Sequence, residues 1–358
     1  MAKASSQKGR RKARATLKAQ QITEKARRKL TEGASSRTCA MLTILKQPKM
    51  VKAPLMVMAL VAAVMCHPDL QDFKQNIGWV EYYAGCEALT RAFLDIGVAA
   101  LSFELKDDDV IQNMLHHLGF IYAVHIGLRI MDGGGSNTDP VCSTWVWVNR
   151  ATSGRGSYKP LGSASRPSVR DGNEMVSRQM MLCWILTARL IWWVLEQPAN
   201  SLMEKHPGFA ELRRAFTIHR VSINMSDFGS AAKKPSWIYS NMPVIAELAD
   251  HAGKYAYKGE PVKLVKTYQD ASGRVRVSGQ KALKASQAYP VGFARALASI
   301  YSKHQGEFKK AAKENVEAAQ AVKLVKADFN AGNLTGATRW SDARLKDAFG
   351  NLKAVRPL

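Results

Sequence analysis

The sequence predicts an α/β fold, a Rossmann-like sheet with helices on both faces, and three observations carry that prediction. Between residues 53 and 245, short strand-like apolar runs alternate with helix-like ones. Two of these runs, a strand and a helix, are joined by the glycine turn Ala84-Gly85-Cys86-Glu87. Glu104 closes the next strand-like run nineteen residues after Gly85. That is the distance at which nucleotide-binding folds set a carboxylate on ribose hydroxyls. An ordinary βαβ unit with a solvated Glu104 is the plainer alternative.

Residues 1–52 are dense in Lys and Arg (Lys8, Arg10, Arg11, Lys12, Arg14, Arg27, Arg28, Lys29), with Glu24 and Glu32 the acids among them. Apolar residues are too sparse there to offset chain entropy, which predicts a mobile basic tail. Ala53 to Cys66 is the longest apolar run. It falls short of the ~20 residues that span a bilayer, so a buried helix and no membrane partner are expected.

Gly78 to Tyr83 reads as a buried strand, and Ala88 to Gly97 as a helix with Leu89, Ala92, Phe93 and Ile96 on one face. Val98 to Glu104 is the next strand, and Val110 to Ile130 reads as largely helical. The glycine run Gly133 to Gly135 leads to a short strand near Asp139. Asn173 to Leu190 is a helix feeding the strand Ile191 to Leu195, and Val221 to Met225 and Ser236 to Ser240 are the last strands of the domain. Val262 to Tyr268 and Arg274 to Val277 form a hairpin, and Pro290 to Ser302 an amphipathic helix. From Lys303 onward a charged, exposed helix is expected to run into a weakly ordered end. The units are therefore 1–52, 53–245, 246–302 and 303–358.

Lys and Arg outnumber Asp and Glu 52 to 29, a net charge of +23. Such an excess favours an anionic partner, nucleic acid above all. The basic tail suits a nuclear location; an organellar transit segment is the alternative. The five cysteines are dispersed, without zinc spacing, which points to a reducing compartment. His116, His117 and His125 lack a third ligand at metal spacing, so no metal is expected. Trp145, Trp147, Trp184, Trp192 and Trp193 fall on strand-like or helix-like runs, where packing is the favoured role.

Val80-Glu81-Tyr82-Tyr83-Ala84-Gly85-Cys86-Glu87-Ala88-Leu89-Thr90 resembles the first motif of C5-cytosine DNA methyltransferases, F-A-G-x-G-G-L-[ST]. Glu87 and Ala88 stand where that family has two glycines. The resemblance continues in order along the chain through Asp139-Pro140-Val141-Cys142, Glu196-Gln197-Pro198, and Phe228-Gly229-Ser230 with Lys233-Lys234-Pro235. It covers about residues 80–245. The family's Q-R-R element is not recognisable, and no target-recognition domain stands out.

The resemblance implies a class I methyltransferase sheet and the cofactor S-adenosylmethionine, held by Tyr83, Gly85, Glu87, Glu104, Asp139 and Pro140. It also implies that Cys142 is the nucleophile, adding as thiolate to carbon six of cytosine so that carbon five can accept a methyl group. A thiol of pKa ~8.5 needs a positive environment for this, and Arg150 and Arg155 are near in sequence. Glu196 then meets the base at N3, from a strand end where burial favours the protonated donor; a structural helix cap is its plainer role.

The Gly, Ser, Pro and Arg-rich stretch 152–173 reads as a long loop able to close over a flipped base, or as a solvated insertion. Arg150, Arg166, Arg170, Lys233 and Lys234 are the expected nucleic-acid contacts, with DNA favoured over RNA. Three functions follow: a cytosine C5 methyltransferase; a catalytically inactive nucleic-acid-binding relative; and an amino methyltransferase in which Asp139 accepts from the exocyclic amine.

Overall fold

The structure, a computed structural model, describes residues 36–50, 52–66, 74–279, 283–284 and 286–321. Two short helices come first, α1 (Ser36–Leu45) and α2 (Leu55–Cys66). They are followed by β1 (Ile77–Tyr82), α3 (Ala88–Asp95), β2 (Ala100–Phe103), α4 (His117–Arg129) and β3 (Ile130–Thr138). Next come α5 (Arg150–Ser153), α6 (Pro167–Ala188), β4 (Trp192–Pro198), α7 (Pro207–Ala215), β5 (His219–Asn224) and β6 (Pro235–Ser240). The chain closes with α8 (Leu248–His251), the hairpin β7 (Val265–Gln269) and β8 (Val275–Gly279), and the long α9 (Val291–Ala321).

Six strands form one sheet in the order β2-β1-β3-β4-β6-β5. β2, β1, β3 and β4 pair in parallel, while β6 runs antiparallel to both β4 and β5. β1 is buried along its whole length, as expected for a strand covered on both faces. Its alternation sorts side chains between two cores: Val80 and Tyr82 join one, Trp79 the other. β4 does the same, with Trp193 and Leu195 on the first face and Trp192 and Val194 on the second. α2, α4, α6 and α7 supply the first core; α3 and α9 supply the second. The mixed α/β sheet with helices on both faces thus matches the expectation from sequence.

Several boundaries differ from that expectation. Ser36 to Leu45 is helical, and Ile44 and Met50 are buried in the first core, so the basic tail cannot extend to residue 52. Residues 1–35 and 322–358 lie outside the described residues. The glycine run lies inside β3 rather than ahead of a strand. A Cβ on Gly135 would stand 2.4 Å from the Trp79 ring, and one on Gly133 would stand 2.6 Å from the backbone N of Lys309. Both neighbours come from distant segments. Glycine lets β3 lie against Trp79 and lets α9 cross it closely.

α4 is shorter than expected because Asp108 Oδ1 accepts from Val110 N (2.8 Å) and Ile111 N (2.7 Å). Asn113 Oδ1 likewise accepts from Leu115 N at 2.9 Å. Such local side-chain bonds turn the chain instead of letting a helix start. No break occurs at residue 302: α9 runs on, and Phe308 and Ala312 are buried. Phe308 packs 5.6 Å from the Trp192 ring. The helix therefore belongs to the domain as far as it is described. Among the described residues no helix is long and apolar enough to cross a membrane.

Candidate functional site

β1 lies between β2 and β3, so the chain leaves β1 toward one side for β2 and then crosses to the other for β3. The crevice at such a switch point, beyond the carboxyl ends of the strands, is where doubly wound sheets collect ligands. Tyr83 to Glu87 follow β1 there, Glu104 follows β2, and Asp139 to Cys142 follow β3.

In the turn, Gly85 is left-handed (φ 57°), and so are two residues that are not glycine, Tyr83 (φ 60°) and Glu87 (φ 58°). Each non-glycine residue in that region costs about 1–2 kcal/mol. Glu87 thus keeps the backbone conformation that a glycine adopts freely, and its carboxylate accepts from Ser102 Oγ on β2 at 2.8 Å. Glu104 reaches back to the turn, where its Oε2 accepts from Gly85 N at 2.6 Å. The Tyr83 hydroxyl is buried and has no hydrogen-bond partner among the described residues.

Beneath the turn lies Glu81, which the sequence reading did not single out. Its carboxylate accepts from Thr90 N and Thr90 Oγ1, both at 2.7 Å, at the start of α3. Burial pushes its pKa up and these bonds pull it back. A negative group is favourable at a helix N-terminus, so Glu81 fixes α3 to β1. The available signal was an acid inside an otherwise apolar strand.

The reaction-centre candidates converge on β4. Where β3 ends, Asp139 Oδ1 takes over the next ladder donor, Glu196 N, at 2.6 Å. Asn137 Nδ2 donates to the other Asp139 oxygen. Gln197 Nε2 donates to Pro140 O at 2.9 Å. The loop bearing Cys142 is thereby tethered to β4. Burial, and then the Glu196 charge, hold the Asp139 carboxyl well above the usual range.

Glu196 lies inside β4, paired with Ile238 of β6, instead of at the strand's end. Ser236 Oγ donates to its Oε1 at 2.5 Å, and Lys234 Nζ lies 3.6 Å from its Oε2. Its oxygens serve here as acceptors, where the sequence reading called for a donor. Tyr289, just ahead of α9, also joins the cluster: it stands near enough to Asp139 to pull the carboxyl's pKa down against burial, and Lys234 Nζ lies 5.8 Å from its ring centroid. Nothing local in the sequence pointed to Tyr289.

Cys142 is half-buried. Burial, and then the Glu196 charge, push its thiol up to about 11, against an opposing pull from Lys234. The cation acting on this thiol is therefore Lys234, not Arg155. Arg155 is buried and bonds Pro160 O and Asn173 Oδ1 (both 2.7 Å) and Thr144 Oγ1 (3.0 Å). It also stacks on Trp145 at 3.4 Å. It is a positioning residue, tying the segment after Cys142 to the start of α6.

The expected loop 152–173 is correspondingly shorter, since α5 runs to Ser153 and α6 begins at Pro167. Arg150, Arg166, Arg170 and Lys233 are exposed, whereas Lys234 turns inward to Glu196. Trp145, Trp184, Trp192 and Trp193 are buried as expected, but Trp147 is 48% exposed. Among the described residues, no group of three His, Cys, Asp or Glu side chains is placed to hold a metal ion.

Comparison of the chain with protein-family models and with curated proteins finds no match.

The electrostatics of Cys142 carry a direct prediction. Its alkylation by iodoacetamide, followed by peptide mass spectrometry, should accelerate through about pH 11, not near the ~8.5 of a free thiol. Lys234→Met should move that midpoint up by removing a favourable cation. Glu196→Gln should move it down by removing an opposing charge.

Proposed function

We propose that the protein is an S-adenosylmethionine-dependent methyltransferase acting on carbon five of cytosine in nucleic acid, DNA rather than RNA. The observation that carries this reading is convergence. Residues from three separated landmarks, Asp139, Glu196 and Lys234, meet at the carboxyl edge of one sheet, and the Gly85 turn with Glu104 stands at the same edge beside the switch point. The sheet plan supports it too: a parallel sheet with one reversed strand, β6, inserted beside the edge strand is the plan of the Rossmann-like methyltransferase fold.

Tyr83, Gly85 and Glu104 are the residues that would hold the cofactor. The unpartnered Tyr83 hydroxyl offers a hydrogen bond, and Glu104 offers a carboxylate to ribose hydroxyls. At Glu87, one of the two departures from the family motif, the backbone is left-handed, a conformation that glycine adopts freely. Adenosylmethionine, when bound, supplies an electrophilic methyl group. Cys142 would give up its proton to solvent and bond through sulfur to ring carbon six. Once carbon five carries the methyl group, loss of the carbon-five proton would break the sulfur–carbon bond and restore the thiolate. Glu196 meets the polar edge of the base, where a carboxylate accepts from the cytosine amine and, once protonated, donates to N3. The net charge of +23 favours the polyanionic substrate.

One observation favours a second reading, a nucleic-acid-binding relative without turnover: the thiol is held at about 11, far from a ready thiolate. Titration calorimetry with adenosylmethionine separates the two. The transferase reading expects saturable binding, weakened about 10- to 100-fold in Glu104→Ala, the scale of a lost hydrogen bond to a charged group. Absence of binding by the wild-type protein, with salt-sensitive DNA binding intact, would leave the second reading.

A further inference from the structure

A cleft of about 460 Å³ opens on the face of the sheet opposite Glu196, lined by Trp147, Asn200, Ser201, Leu202, Glu204, Lys205 and Trp237. Its two indoles come from different elements. Trp147 opens the 3-10 turn five residues after Cys142, and Trp237 lies on β6. Each ring carries a guanidinium on it, Arg150 at 3.9 Å from Trp147 and Arg220 at 4.6 Å from Trp237. Neither arginine lines the cleft.

The rim is cationic. Arg220, Arg213 and Lys205 gather around the single carboxylate of Glu204, at 3.1, 3.6 and 4.0 Å. Three cations thus face one acid there, and Arg150 adds a further positive charge beside Trp147. Aromatic faces inside a positive rim are the two components of a single-strand stacking platform, in which rings take bases and cations take phosphates. Bases within a duplex are stacked on each other and present no free face. A proline-rich peptide also uses aromatic grooves, but it brings no negative charge to such a rim.

We propose that this cleft binds an unpaired nucleobase of a single-stranded segment, next to the base that enters at Cys142. Asn200 and Ser201 follow Glu196-Gln197-Pro198 after one residue, Ala199, so the turn that leaves β4 joins the candidate reaction centre to the cleft. The inference rests on the proposed function only in taking nucleic acid as the partner, and its test needs neither cofactor nor turnover.

The test is titration of the full chain, without adenosylmethionine, with a single-stranded oligonucleotide, its abasic counterpart and the matching duplex. Tryptophan fluorescence and anisotropy are the readouts. Stacking predicts quenching by the base-bearing strand and a loss of about 5- to 100-fold in affinity in Trp147→Ala. The abasic strand should bind Trp147→Ala and wild type alike. Lys205→Ala should lower the salt slope for the single strand by about 0.7. Trp147 is a surface side chain, so circular dichroism of Trp147→Ala should match wild type. Equal affinity of Trp147→Ala and wild type for the base-bearing strand would overturn the proposal. So would an equal loss for the abasic strand, or a proline-rich peptide that quenches where the oligonucleotide does not. A positive result alongside failed cofactor binding would sink the transferase reading and leave the cleft in place.

Discussion

Replacing Arg189 with alanine should cost about 3–5 kcal/mol of folding stability and lower the melting temperature by roughly 10 °C. The guanidinium is buried, 1% exposed, and its donors reach Gly127 O (3.0 Å), Leu128 O (2.9 Å) and Ile130 O (2.7 Å). Two of these carbonyls end α4 and the third begins β3. The end of a helix leaves carbonyls without intrahelical donors, and here a side chain from the end of α6 supplies them. Asp132 lies 3.6 Å away and balances part of the charge. Gly127 O also accepts from Ile130 N, so alanine would take this donor chiefly from the carbonyls of Leu128 and Ile130, each a penalty of about 1–3 kcal/mol before relaxation. Lysine cannot reproduce the planar fork, so Arg189→Lys should fall between wild type and Arg189→Ala. Thermal melts followed by circular dichroism check this. An unchanged melting temperature in Arg189→Ala would contradict the assigned role.

On the proposed transferase reading, Cys142→Ser should reduce methyl transfer to cytosine by at least about 10³-fold, the scale expected when a covalent nucleophile is lost. Melting temperature and adenosylmethionine affinity should stay where they are. The thiol is half-buried, and its backbone oxygen, which accepts from Trp145 N at 2.8 Å, is untouched by the change. Serine fits the same space but has no accessible anion. A variant that kept full transfer activity would exclude the covalent route. If activity were also lost in Asp139→Ala, that result would point to methylation of the exocyclic amine. Steady-state transfer of a labelled methyl group gives the comparison.

The parts of the fold that could be read from sequence are those set by local pattern. The apolar runs Gly78 to Tyr83 and Ile191 to Leu195, the turn at Gly85 and the spacing to Glu104 each depend on neighbours in the chain. What could not be read depends on distant partners. The run Gly133 to Gly135 looks like a loop because nothing nearby says that Trp79 and the backbone of Lys309 will press against it. The charged sequence after residue 302 looks like an exposed extension. Yet Phe308, an apolar position in a polar stretch, reaches the second core, and Ala312 one turn on is buried as well.

The candidate site divides in the same way. Cys142, Glu196 and Asp139 stand out in the sequence by their motifs, and the fold brings the three together. Lys234 takes the place near the thiol that was expected of Arg155, and Arg155 is turned inward, since burial and stacking on Trp145 decide where a guanidinium goes, and sequence distance does not. Glu81 and Tyr289 were missed because each becomes meaningful only once α3 and α9 are docked on the sheet.

The central claim, that Cys142 adds covalently to cytosine beside a bound methyl donor, is tested most directly by trapping. The full chain is incubated with adenosylmethionine and an oligonucleotide carrying 5-fluorocytosine, then denatured and weighed by mass spectrometry. Fluorine at carbon five cannot leave as a proton does, so the bond between the sulfur and carbon six should persist. The account predicts a denaturation-resistant species with the mass of protein plus methylated oligonucleotide, mapped to the peptide containing Cys142 and absent in Cys142→Ser. A wild-type protein that binds both cofactor and oligonucleotide yet forms no such species would contradict it.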